Sequence, residues 1–80
     1  MKVEVFKTNV LHADEAKVLV GRIHASFRHY RANFDLGDCD RILRVTSAEF
    51  INVPAVIAFL KQCGFEAEVL PDDIPELLRF

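Results

Sequence analysis

The chain has 80 residues, 51% of them hydrophobic and 28% charged, with a formal net charge of −2. That composition describes one small folded domain rather than a disordered segment. It excludes a general electrostatic attraction to nucleic acid or to an anionic membrane, and no apolar run is long enough to span a bilayer.

Taken in chain order, Val3, Glu4, Val5 and Phe6 form a β-branched and aromatic run that reads as a first strand ending near Val10. Charges interrupt the apolar start, so it does not read as a signal peptide, and the cytoplasm is the expected location. Asp14 is placed to cap a helix, with Glu15 favourable in the first turn. Ala16, Leu19, Val20, Ile23 and Phe27 then recur at helical spacing and define one buried face. Arg28, His29 and Arg31 follow where that helix should end and suit the negative end of its dipole.

The segment ANFDLGDCDRILRV reads as a hairpin. Ala32, Phe34 and Leu36 alternate with polar residues, GDCD supplies turn chemistry, and Leu43 and Val45 point inward on the return. Asn52 is the expected cap of a second helix, with Pro54 in its first turn. Val53, Val56, Ile57, Leu60 and Cys63 form its buried stripe, and Gly64 stops it in the left-handed conformation. FEAEVL is the last strand, with Phe65, Ala67 and Val69 inward, and Pro71 ends it.

This order of strand, helix, strand, strand, helix, strand predicts an α+β fold. The economical packing is a ferredoxin-like βαββαβ sandwich, a four-stranded antiparallel sheet with both helices on one face and the usual strand order 4-1-3-2. The domain is expected over residues 1–72, with residues 73–80 as an apolar tail.

Over residues 2–72 the chain resembles the heavy-metal-associated domains of copper chaperones and metal-transporting ATPases. KQCGFEAEVL looks like that family's ending, in which a glycine and an aromatic follow the second helix and lead into the last strand. The family's loop reads GMxCxxC, with apolar helix positions four and eight residues after the second cysteine. Setting those positions at Leu19 and Ile23 puts the cysteine places at His12 and Glu15, the glycine place at Asn9 and the buried methionine place at Val10. The thiolate pair that holds copper(I) in the family is therefore absent, because soft sulfur is replaced by imidazole and carboxylate. Copper-chaperone activity does not carry over.

In the expected topology the loop with His12 and Glu15, the hairpin with Asp38, Cys39 and Asp40, and the turn after Cys63 lie at one end of the sheet. Two readings follow. One is a rebuilt site in which His12, Glu15, Cys39 and Cys63 bind zinc or copper weakly. The other has Cys63 as a small buried hydrophobe, Cys39 as a turn residue and His12 as a solvated loop residue. No CxxC or HxxxH spacing supports the first, and the second is preferred. The two cysteines are expected to be thiols in a reducing compartment.

Other chemistry is sparse. There is no nucleophile motif, phosphate loop or recognisable pair of catalytic carboxylates, so the chain does not read as an enzyme. The cluster of Arg22, His24, Arg28, His29 and Arg31 is suited to an acidic partner, but reads first as a solvated helix face. The outward sheet positions are expected to carry Glu4, Phe6, Asn33, Asp35, Ile42, Arg44, Glu66 and Glu68. One aromatic among so many carboxylates argues against RNA binding. Ile74, Leu77, Leu78 and Phe80 crowd a short tail, and a free tail would rarely expose four large apolar groups. With Phe6, Ile42 and Leu70 they form an expected interface, covered by the tail itself or by a second copy in a homodimer. The expected function is a non-catalytic binding or interaction module.

Overall fold

The computed structural model describes residues 1–37 and 39–70. Its elements in chain order are β1 (Lys2–Thr8), α1 (Ala13–Ser26), β2 (Tyr30–Asp35), β3 (Ile42–Ser47), α2 (Val53–Gln62) and β4 (Ala67–Leu70). The strands form one antiparallel sheet with neighbours in the order β2-β3-β1-β4, and counted from the β4 edge the same neighbours read 4-1-3-2. The architecture is α+β and compatible with a ferredoxin-like fold.

Register decides what each face carries. Phe6 lies opposite Leu43 and Val69, and Val45 lies opposite Glu4 and Ala32. Residues directly opposed in a ladder share a face. This face holds the core. Phe6, Leu43 and Val45 are fully buried with Ile23 of α1 and with Val56 and Leu60 of α2, so both helices pack on it. Val20, Phe27 and Phe34 pack against its margin, half-buried, while Val10 and Ile51 enter it from the connections.

One expectation is overturned here. Phe6 does not belong to the outer face or to an interface, because it is fully buried in the core. Glu4 shares its inward side at the less buried end of β1. The run VEVFKT has apolar residues at both parities, so alternation alone leaves its phase open. Burying a phenylalanine removes more apolar area than burying a valine, and the helices are laid over the phenylalanine side. The outer face carries Val3, Val5, Ile42 and Leu70 among Lys7, Arg44 and Glu68. Among the described residues no helix covers it.

Local signals terminate the elements. Asn52 Oδ1 accepts a hydrogen bond from the Ala55 amide at 3.1 Å, and Pro54 sits in the first turn of α2. At the other end Gly64 takes φ +94°. Its amide donates to the Lys61 carbonyl and the Phe65 amide to the Leu60 carbonyl. Those two bonds are the Schellman pattern, which satisfies the last carbonyls of the helix and turns the chain toward β4.

The start of α1 differs from expectation. His12, not Asp14, is the cap: it is extended at φ −114° and ψ 140°, and its carbonyl accepts from the Ala16 amide. Asp14 lies within the first turn, where its Oδ1 accepts from the Glu15 amide at 2.9 Å. Carboxylates in a first turn are favoured by the dipole whether or not they cap.

Phe27, Tyr30 and Phe59 tie the end of α1 and the start of β2 to α2. Phe27 and Tyr30 stack with centroids 5.0 Å apart, and Phe59 meets Phe27 edge-on at 5.7 Å. The Tyr30 hydroxyl accepts from the Asn52 amide at 2.7 Å, so the ring is held at one face and at its tip. Among the described residues no helix is long and apolar enough to cross a membrane. Asp38 and the tail residues Ile74, Leu77, Leu78 and Phe80 lie outside the described residues.

Candidate functional site

Three connections meet at the pole where β1 ends. The buried Thr8 organises them. Its amide donates to the Asp40 carbonyl at 3.1 Å, its hydroxyl donates to the Arg41 carbonyl at 2.6 Å, and the same oxygen accepts from the Val10 amide at 3.2 Å. Asn9 performs the equivalent task toward β4, accepting from the Glu66 amide at 2.8 Å and donating its own amide to the Glu66 carbonyl. The hairpin is closed by Arg41, whose guanidinium donates to the Leu36 carbonyl while its backbone stands at φ +49°. The loop at residues 9–12 is thus fastened on two sides, and Val10 is fully buried beneath it.

On this frame the four candidate ligands do not converge. His12 is exposed at the helix cap and its side chain makes no capping bond. Cys39 is exposed in the β2–β3 hairpin. Glu15 and Cys63, both half-buried, do come together. They line one groove of about 290 Å³ with Asp14, Val18, Arg22 and Phe65. Among the described residues no group of three or more His, Cys, Asp or Glu side chains is arranged to hold a metal.

At the thiol itself a cation is already in place, while Asp14 and Glu15 line the rest of the groove. The Arg22 guanidinium sits 3.9 Å from Cys63 Sγ, as a long donor contact to sulfur. A fixed positive charge at that distance opposes a second cation on the same thiol. Two protein ligands would in any case leave a zinc ion short of its usual four. Sequence reasoning placed Cys63 on a buried stripe and missed Arg22, which is 41 residues away and gives no local signal of the contact. A second concavity, of about 690 Å³, lies beside this pole and is lined by residues of α2, β1 and β4 and of the turn between α2 and β4. Lys7 and Lys61 line it with Glu66 and Glu68, and among the described residues no histidine or cysteine lines it.

Searches of family models, curated proteins and solved structures give no match to this chain.

Copper(I) is expected to bind no more tightly than it does to ordinary exposed thiols, because soft-ligand pairing is missing from the loop. Competition against a strong copper(I) chelator measures this. Tight one-to-one binding that persists in the Cys39→Ser, Cys63→Ser double variant would overturn the ligand argument.

Proposed function

We propose that this chain is a non-catalytic binding module whose working surface is the outer face of the sheet and whose partner there is a second copy of the chain. Its layout follows the heavy-metal-associated domains, with the copper pair of their loop replaced by His12 and Glu15. The observation that carries the reading is the one-sided packing: both helices lie over Phe6, Leu43 and Val45, and the described residues leave the opposite face without a helix.

That face has the make-up of a small protein contact. Val5 pairs with both Leu70 and Arg44, and Val3 lies along the same strand at 39% exposure. Ile42 is on this side by register but is only 7% exposed, so it supports the patch more than it offers contact area. Lys7 and Glu68 are cross-strand neighbours, opposite charges at the rim of an apolar centre. A two-fold pairing would set the same patch against itself. A domain with so small a core gains proportionately from such burial.

Light scattering at micromolar concentration tests the proposal. The full chain is expected to be dimeric, and the Val3→Glu, Val5→Glu variant monomeric, because two carboxylates would face each other across the pairing. A monomeric wild-type chain would end the homodimer reading. Zinc or copper in stoichiometric amount, found by elemental analysis of the purified chain, would instead favour a metal-binding module using His12, Glu15, Cys39 and Cys63.

A further inference from the structure

We propose that the turn between α1 and β2 is a binding site for a phosphomonoester, held by Arg28, Arg31, His24 and His29 beside the Tyr30 ring. These five residues line a pocket of about 320 Å³, and no carboxylate is among them. By register Arg31 lies on the outer face, opposite Thr46, which also pairs with Val3, whereas Tyr30 has the inward parity; the pocket shares no residue with the Cys63 groove.

Charge segregation points to an anion. Residues 16–34 contain Lys17, Arg22, Arg28 and Arg31 and no Asp or Glu, whereas the remaining residues hold six Lys or Arg against twelve Asp or Glu. In a chain of net charge −2, acidic side chains are plentiful, yet they are kept out of this stretch. Among the described residues the side chains of Arg28, His29 and Arg31 have no hydrogen-bond or ion-pair partner. Gathering cations without counter-charge costs self-repulsion, which a bound anion relieves.

Completion of the helix dipole does not account for the cluster. The only basic residue in the last turn of α1 is His24, and α1 ends at Ser26. Arg28, His29 and Arg31 lie beyond it, and a dipole's influence fades within its last turn. His24 is already committed, since its Nε2 accepts from the Ala32 amide at 3.0 Å. A nitrogen that accepts leaves the imidazole proton on Nδ1, so the ring offers a donor to whatever binds beside it.

Two of the five lining side chains are held in place before any ligand arrives. Tyr30 is stacked on Phe27 and bonded to the Asn52 amide, and His24 is pinned to the edge strand β2. Two guanidinium forks match the oxygens of a phosphoryl group, which at neutral pH carries about −1.5 to −2 charge in a monoester. The volume is at the small end of ligand pockets, about 300–1,000 Å³. It suits one phosphoryl group with a small organic portion. A nucleic-acid strand needs a groove that follows several phosphates, with bases stacked along it.

The phosphomonoester is either a soluble metabolite or a lipid headgroup, and the test separates the two. Inorganic phosphate and glycerol 3-phosphate are titrated into the full chain at constant ionic strength, with amide chemical shifts as the readout. Vesicles of phosphatidylcholine with and without phosphatidic acid are used for co-sedimentation. A saturable shift confined to the amides around 28–32 is expected. The Arg28→Gln, Arg31→Gln variant should lose at least about tenfold in affinity with its unfolding midpoint unchanged. Lys2→Gln with Lys17→Gln removes the same charge elsewhere and should bind as wild type. Vesicle binding that soluble phosphate displaces assigns the site to a lipid headgroup, and solution binding without it assigns a soluble ligand. The proposal is overturned if no saturable shift occurs, if both double variants weaken binding equally, or if an oligonucleotide binds at this turn and the phosphomonoesters do not.

Discussion

Phe6→Ala is expected to destabilise the domain by ~3–5 kcal/mol, the range for truncating a buried aromatic in a packed core. Phe6 is fully buried on the central strand β1, opposite Leu43 on one side and Val69 on the other. Its removal takes apolar area out of the core and leaves a cavity that the two neighbouring strands cannot close, because their ladder hydrogen bonds hold them in register. A small domain has only about 5–15 kcal/mol to lose, so the variant should be near the edge of folding. Urea unfolding monitored by circular dichroism provides the number. Val3→Ala is the matched control, since it is on the same strand with the opposite parity and is 39% exposed. Measured at a concentration where the chain is monomeric, so that the proposed pairing does not enter, it should change stability by about 0.5 kcal/mol or less. Comparable losses at the two positions would mean that the phase of β1 is reversed and that Phe6 faces outward.

Leu60→Ala should cost ~2–5 kcal/mol. Leu60 is fully buried on the last turn of α2, one turn after the equally buried Val56. The carbonyl of residue 60 remains in the variant, so the Schellman bond from the Phe65 amide survives and the loss isolates side-chain packing. Where in the range it falls depends on how far α2 settles onto the sheet after truncation. Ala58, exposed on the same helix, provides a reference through Ala58→Ser, a change expected to fall within about 0.5 kcal/mol. A Leu60 loss no larger than that reference would require α2 to present a different face to the core.

These two residues also show where sequence is and is not sufficient. Leu60 was legible because helical spacing from Val53 through Val56 to Leu60 picks out a single stripe, and a helix has only one way to bury it. Phe6 was not, because a strand with apolar residues at both parities has two ways to face, and only the packed helices choose between them. The candidate site divides similarly. The gathering of three connections at one pole follows from element order, and the structure ties those connections together through Thr8 and Asn9. What the pole's side chains do with each other was not legible. Glu15 and Cys63 share a groove, His12 and Cys39 stand apart from it, and Arg22 occupies the position beside the thiol.

The sequence by itself determined the number, type and order of the elements, the Asn52 cap, the Gly64 stop and most of both helix stripes. All of these depend on residues within about one helical turn or one strand repeat of each other, so the local pattern carries them. Only the tertiary structure decided the phase of β1, the cation beside Cys63, the anchoring of Tyr30 by Asn52 and the tie from Thr8 to Arg41. Those contacts join residues 41, 22 and 33 positions apart. Their partners are chosen by how two helices and a twisted sheet close over one core, and no periodicity in the chain records that choice.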